Sequence, residues 1–524
     1  MLNKFYILLF IIGLSSANIL AQKIPNSIHL QDNRLNKIVE DPTPSGNAVE
    51  YIEFMGDDIW IATSIGVSKS EDDGESWTNY KFEEEGISAL GIKDDTVWVA
   101  TWHPLENSDD VVPVGSGLHY SADKGETWID IPQPVDAPDD SSIVYGINTL
   151  RSLPLNVVEG NFTRDIGFLG NEIWIASFYG GLRKSNDIGK TWEKVVLPPD
   201  YLDSIKPNDT LDFTVSPSSG ALGFENNLNH RFFAIRVVND STIFIGTADG
   251  INKSTDYGIS WNKYNHQNQT NSISGNFILD INYDHARETI WAATWKAEGV
   301  TEYYGLSSSS DGGANWETHL AGENVHDIAF TYGTSGGEED VFVATDNGVF
   351  RSGNIGLSWL IAPEMRDDNT GIALTTTKFR AVNAVADFSG SNSLWFGSES
   401  GTAKLKETGV IWEGDWRVFI SSPSTSSGSE AIAFPNPFSP DSEPVSLKYS
   451  FTGNSKSVTI RIFDFGMNLV RTVIQNVDRV GDREYVDNWD GRDENSEFVP
   501  NGVYFFRIDI GDDEPLYGKI MVLM

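Results

Sequence analysis

No cysteine occurs among the 524 residues. That excludes disulfide scaffolds, thiolate zinc sites and thiol nucleophiles. Positive charge is scarce, with 37 Lys and Arg against 75 Asp and Glu and a formal charge of −38. Nucleic acid and anionic membrane surfaces need a basic partner, so neither is expected. Apart from Phe5 to Leu14 there is no long apolar run, so no membrane span is expected in the mature chain. No H-E-x-x-H, phosphate loop or dinucleotide fingerprint occurs, and no cofactor or metal is expected. Gly333-Thr-Ser335-Gly-Gly337 fits G-x-S-x-G. A nucleophile elbow needs a following helix, whereas acids and a strand pattern follow here, so this segment reads as a hairpin loop. Asp487 to Asn495 is acid-rich but lacks EF-hand spacing, and reads as a turn rather than a calcium loop.

What the chain does contain is glycine, proline and tryptophan, 48, 21 and 16 residues respectively. These favour short strands and turns over helices. At the start, Lys4 precedes the apolar run, and small residues lead to Ala21. Residues 1–21 read as a signal peptide, which places the mature protein outside the cytoplasm, secreted or at the cell surface.

A motif then recurs. It is clean in Ser70-Glu-Asp72-Asp-Gly74-Glu-Ser76-Trp77, Ser121-Ala-Asp123-Lys-Gly125-Glu-Thr127-Trp128, Ser185-Asn-Asp187-Ile-Gly189-Lys-Thr191-Trp192 and Ser254-Thr-Asp256-Tyr-Gly258-Ile-Ser260-Trp261. Variants end at Trp316 (with Asp311), Trp359 (with Asn354) and Trp412. Each copy follows an alternating strand such as Ile59-Trp-Ile-Ala-Thr63 or Val341-Phe-Val-Ala-Thr345. Each unit reads as four antiparallel strands. Such units cannot bury both faces alone but bury each other when arranged radially. The expectation is an all-β chain, a seven-bladed β-propeller over residues 40–420. The Ser and Asp side chains bond turn amides, the Gly takes positive φ, and the Trp fills the wedge between blades. These motif residues therefore read as structural.

The motif resembles the Asp-box, or BNR repeat, found in sialidases, xyloglucanase-type glycosidases, sortilin-like receptors and photosystem-assembly propellers. The Arg-Ile-Pro triplet of sialidases is missing, so sialidase activity is disfavoured. Xyloglucanases join two such propellers around a cleft, and this chain has one.

A Ser-rich linker, 421–430, leads to a second module, 431–524. Strand patterns at Val458 to Phe463 and Val503 to Asp509 read as a small Ig-like β-sandwich. Pro435-Asn-Pro-Phe438, Trp489-Asp-Gly-Arg-Asp493, Gly502-Val-Tyr504 and Gly518-Lys519 resemble the Ig-like C-terminal domain of flagellar-hook-capping proteins and of type IX secretion cargo. That resemblance implies a sorting and surface-attachment signal, with the export machinery as partner. That family has Gly near 495 or 496, where this chain has Asn495-Ser496; an Asn tolerates a left-handed turn.

A ligand site on a propeller lies where second strands end and first strands begin, opposite the motif turns. The second-strand ends supply Trp102, His103, Phe178, Tyr179, Asp249, Trp295, Lys296, Asp346 and Glu399. The first-strand starts supply Glu50, Arg164, Asp165, Arg236, Asp280, His326, Asp327 and Arg380. Aromatics beside carboxylates and arginines suit a sugar or peptide, and paired carboxylates suit glycosidic acid–base chemistry. Three readings stand: a non-catalytic module binding a glycan or a surface or secreted protein, a secreted glycoside hydrolase of the Asp-box type, and a purely structural surface-layer or adhesion component.

Overall fold

A computed structural model describes residues 36–82, 86–106, 111–216, 227–297, 299–331, 340–369, 372–374, 376–386, 392–421, 431–434, 436–440, 444–481 and 483–523. The expected signal peptide, the Gly333–Gly337 loop, linker residues 422–430 and Pro435 lie outside these. The described residues are almost wholly strands and turns, with a single 3-10 turn, Leu228–His230.

Seven antiparallel sheets follow one another along the chain. In the first blade, Val49–Met55, Asp58–Thr63, Gly66–Ser70 and Trp77–Lys81 pair in sequence, and Asn36–Asp41 adds a fifth, outer strand. The first strands of the other six are Gly86–Lys93, Thr163–Leu169, Phe232–Val237, Phe277–Asp284, Val325–Thr331 and Phe379–Ala386. Each packs against the next, and Phe379–Ala386 packs against Val49–Met55, closing the ring. The fold is a β-propeller of seven blades among the described residues. Second strands lie between neighbours on both faces, so they read as unbroken apolar runs; Ile243–Thr247 is buried at every position. Their terminal hydroxyls close the hairpin. Thr63, Thr247, Thr345 and Ser398 donate to the carbonyls of Gly66, Gly250, Gly348 and Gly401.

Six motif turns share one geometry. In the fourth blade Asp256 accepts from Ser260 N (2.8 Å), Ser260 Oγ (2.6 Å) and Ser254 Oγ (2.8 Å), while Gly258 N donates to Ser254 Oγ (2.9 Å). Asp72, Asp123, Asp187 and Asp311 repeat this pattern, and Asn354 substitutes an amide. The glycine has a further role beyond its φ of +75°. A Cβ there would sit 2.5 Å from Trp174 of the preceding blade.

Each motif indole also packs backward. Trp77 meets Trp395 and Phe419, Trp128 meets Tyr80 and Phe82, Trp192 lies in a cluster with Trp98 and Ile131, Trp261 with Trp174, and Trp316 with Phe244. The seventh copy departs from the expected turn. Gly401–Val410 and Glu413–Phe419 form a tight hairpin, in which Glu407 accepts from Trp412 N and pairs with Arg351 of the sixth blade.

A cationic layer covers the second-strand rings. Lys69, Lys184, Lys253, Arg351 and Lys404 lie 5.1–5.7 Å over Trp60, Trp174, Phe244, Phe342 and Trp395. Three of them donate forward to the next blade's turn: Lys69 to Lys124 O, Lys253 to Gly312 O and Lys404 to Asp73 O.

An additional small sheet, Ser142–Tyr145, Asn148–Ser152 and Thr214–Val215, is inserted around the third blade. Asp136, nearly inaccessible, ties it down by pairing with Arg183 (2.8 Å) and Lys194 (2.6 Å).

The second module is a two-sheet sandwich. Ala431–Phe434, Val445–Phe451 and Arg483–Trp489 form one layer; Leu469–Arg479, Lys456–Phe463, Gly502–Ile510 and Leu516–Val522 form the other. Its core includes Phe438, Tyr449, Ile460, Trp489, Tyr504 and Phe506. At 495–496 the positive φ falls on Ser496 (+64°), not on Asn495. The turn is stabilised instead by Asp493 Oδ1, which accepts from the amides of Asn495 and Glu497.

Candidate functional site

Every first strand carries a one-residue irregularity near its start. The bulged residues are Glu50, Ser88, Arg164, Phe233, Leu279, His326 and Arg380. A bulge re-aims side chains relative to strict alternation. Just above it stand seven cross-strand pairs: Ala48/Ser64, Gly86/Trp102, Phe162/Phe178, Arg231/Ala248, Phe277/Trp295, Asn324/Asp346 and Lys378/Glu399. The rim is therefore uneven. Blades two, three and five present aromatic rings, blade four an arginine, blades six and seven charged and amide groups, and blade one only small side chains.

The aromatic half is nearly continuous. Trp102 contacts Phe162 (6.2 Å between centroids), Phe178 contacts Phe233 (5.4 Å), Phe233 contacts Phe277 (5.7 Å), and Trp295 contacts His326 (5.3 Å). All of these rings are half-buried. Arg164 lies over Phe162 and Phe233, and Arg231 over Phe178 and Tyr179.

The charged corner is a connected network. Arg380 pairs with Glu399 (2.6 Å) and approaches both ring nitrogens of His326 (3.2 Å). His326 Nε2 is 2.8 Å from Asp346, which also accepts from Asn324. Burial, and then the Arg380 charge, hold the His326 pKa below the usual imidazole range. The neutral tautomer with Nε2–H donating to Asp346 and Nδ1 accepting from Arg380 fits these distances. Glu50, exposed at the rim, faces Arg380, Arg164 and Glu399.

Below the rim the residues do a different job. Tyr51 Oη reaches the carbonyls of Ser88 (2.8 Å) and Arg164 (3.1 Å), in the second and third blades. Asp165 accepts from Ile166 N and, one blade on, Ile235 N (2.6 Å). Asp327 does the same with Ile328 N and Val382 N (2.8 Å). Arg236 Nε donates to Ile281 O, Asn282 to Ile328 O and Asn383 to Ile52 O. These side chains latch blade to blade. Burial pushes Glu53 and Asp165 up to about 7 and Asp280 to about 6, and holds Asp327 well above the carboxylate range.

The structure thus divides the expected site. Glu50, Trp102, Arg164, Phe178, Tyr179, Trp295, Asp346, Arg380 and Glu399 stand at the rim, and Lys296 is exposed beside it. Asp165, Asp327 and Arg236 leave the ligand set, because their polar atoms are taken by backbone of the next blade. Asp280 sits buried among them. Asp249 also leaves it, turned sideways to Lys263 (2.6 Å) and Asn265. His103 lies in the protruding hairpin of the second blade and meets Ser116 (2.9 Å). Phe162, Phe233, Phe277 and Arg231 were not anticipated; aligning the first strands through their buried partners, Ser177, Thr247 and Thr294, would have found them. Among the described residues, no three His, Asp or Glu side chains are grouped to hold a metal ion. No helix there is long and apolar enough to cross a membrane.

Fold and face together define a β-propeller with one half-aromatic rim, followed by an Ig-like sandwich. Residues 436–513 match the FlgD Ig-like domain family. Over 215 residues the chain is 25% identical to xyloglucanase Xgh74A of Acetivibrio thermocellus, an alignment covering 37% of this chain. The chain spans about a fifth, 22%, of that relative's length. Among solved structures it is similar to the GH74 xyloglucanase of Xanthomonas campestris, at 12% identity, 80% and 60% coverage and a TM-score of 0.47. It is likewise similar to the GH74 enzyme of Niastella koreensis, at 12% identity, 93% and 74% coverage and a TM-score of 0.47.

Proposed function

We propose that this is an exported propeller, secreted or surface-held, that binds a polysaccharide across the aromatic half of its open face. The observation that carries this is the run of half-buried rings from Trp102 to Trp295 along the rim. Flat apolar faces edged by hydrogen-bonding groups match the two sides of a pyranose ring. The xyloglucanase name of the Acetivibrio relative supports a β-linked glucan as the first ligand to try. The sandwich acts as the sorting and attachment module, with the export machinery as its partner, and residues 1–21 direct export.

The test is affinity electrophoresis of the full chain in xyloglucan and a panel of plant and bacterial polysaccharides. Trp295→Ala and Phe233→Ala are expected to lower retention about tenfold, the scale of about 1.4 kcal/mol. Retention equal to that of the variants, on every polysaccharide, rejects the reading.

Glycoside hydrolysis is the second reading, favoured by one observation. Two carboxyls meet at the charged corner, Glu50 facing Arg380 and Arg164 and Glu399 ion-paired to Arg380, and paired carboxyls suit an acid and a base. New reducing ends released from xyloglucan by the wild type, and not by Glu50→Gln, would establish it.

A further inference from the structure

Arg164 occupies the bulge of the third blade, in the middle of the aromatic half. Its guanidinium lies 5.6 Å from the Phe162 ring centroid and 5.8 Å from that of Phe233. Two rings from two blades thus fix it in place. Its Nε is buried and has no acceptor among the described residues, and no carboxylate there pairs with it. Acids are not in short supply, at about two per base along the chain. Other arginines of the ring find partners: Arg183 has Asp136, Arg236 the Ile281 carbonyl, Arg351 both Asp340 and Glu407, and Arg380 Glu399. Glu50 is close enough to feel the Arg164 charge without an ion pair.

A partly buried guanidinium that makes no close ion pair and leaves its Nε without an acceptor is costly. Its planar fork also matches a carboxylate in bidentate geometry, which a hydroxyl cannot satisfy. The surroundings point the same way. Lys296 is exposed on the adjoining rim, and Arg231 stands over Phe178 and Tyr179. The nearby acids are engaged elsewhere: Asp249 with Lys263, and Glu302 with the amides of Asn276, Ala297 and Gly299.

We propose that Arg164 is a carboxylate-recognition residue, and that the glycan held by the face is an acidic one bearing uronate units. The uronate carboxylate meets the guanidinium fork while neighbouring sugar rings lie on Phe178 and Trp102. This rests on the glycan-binding reading above.

The test uses the full chain in calorimetric titrations with oligogalacturonate, oligomannuronate and oligoglucuronate. The methyl ester of each, and a neutral xyloglucan oligosaccharide, are titrated beside them. At least one uronate is expected to bind at least tenfold more tightly than its ester, with an affinity that falls as salt rises. Arg164→Gln should erase that difference, and Arg164→Lys, which keeps charge but not the fork, should weaken uronate binding about tenfold. Both should weaken ester binding far less than uronate binding, and an unchanged melting temperature of Arg164→Lys certifies the fold. Equal affinity for acid and ester, insensitive to Arg164→Gln, overturns the inference and leaves the glycan face standing. Displacement of uronates by an acidic peptide that binds more tightly also overturns it. Failure of every saccharide, with Trp295→Ala equally inert, removes the glycan-binding reading itself.

Discussion

The Tyr51 hydroxyl lies 3.1 Å from the carbonyl oxygen of Arg164, two blades away around the ring. It also donates to Ser88 O, so a single phenol links the first three blades directly beneath the rim. Burial raises its pKa further above the phenol range, which keeps the donor protonated at any working pH. Tyr51→Phe removes the one proton that the Ser88 and Arg164 carbonyls share. It is expected to cost about 1–2 kcal/mol in denaturant unfolding, and to weaken uronate binding through Arg164 more than neutral-sugar binding. Equal loss for both ligands would argue against a positional effect.

The acids below the rim set a pH dependence whose sign follows from their direction. Glu53, Asp165 and Asp280 hold protons in the folded chain up to about pH 6–7, whereas unfolded carboxyls release theirs near 4. The folded state binds more protons in that window. Their contribution is complete below pH 4 and is lost as pH rises through about 7. Glu53→Gln should therefore stabilise the protein by about 1 kcal/mol or more at pH 8 and change little at pH 4.5. Equal shifts at the two pH values would refute this.

The motif acids act in the opposite sense. Asp187 and Asp311 are lowered to about 2 by their side-chain and amide hydrogen bonds. Their contribution is present above pH 4 and is lost as pH falls toward 2. Thermal melts across pH are expected to peak between about 4 and 6.

Asp256→Ala removes the acceptor for Ser260 N and both hydroxyls, and should cost about 1–2 kcal/mol. Asp256→Asn should cost far less, because Asn354 already makes the same turn in the sixth blade. An Asn variant as damaged as the Ala variant would mean that charge, not geometry, holds the turn.

Lys404 covers Trp395, donates to Asp73 O and pairs with the Asp73 carboxylate (2.5 Å). Lys404→Met keeps the apolar stem and removes the cation. Protease nicking near the seventh blade should accelerate, with global unfolding lowered by about 1–3 kcal/mol.

The radial repeat was legible because one turn chemistry recurs with its strand patterns. Ser, Asp, Gly and Trp each answer a local requirement, and local requirements are written in local sequence. The latches were not legible. Asp165 and Asp327 look like ligand-facing acids in a linear reading, and only the bulge before them reveals that they meet the next blade's amides. The inserted sheet left a trace in the two longest Trp intervals, 128 to 192 and 192 to 261, but not its pairing. Phe233 and Arg231 escaped for the same reason as the latches: a one-residue bulge moves side chains between wall and rim without changing composition.

The ring is closed between its seventh and first blades by side chains alone. Asn383 bonds Ile52 O, Lys404 reaches Asp73, Arg417 meets Glu75, and Asn47 exchanges two hydrogen bonds with the backbone of Ser421. Among the described residues no strand crosses this boundary, which therefore resembles the gap in a split washer. Tension drawn through the C-terminal module would enter at Ser421 and pass to Asn47, just ahead of the first blade's innermost strand. Under such a load the Asn47–Ser421 clasp decides whether the seam stays shut.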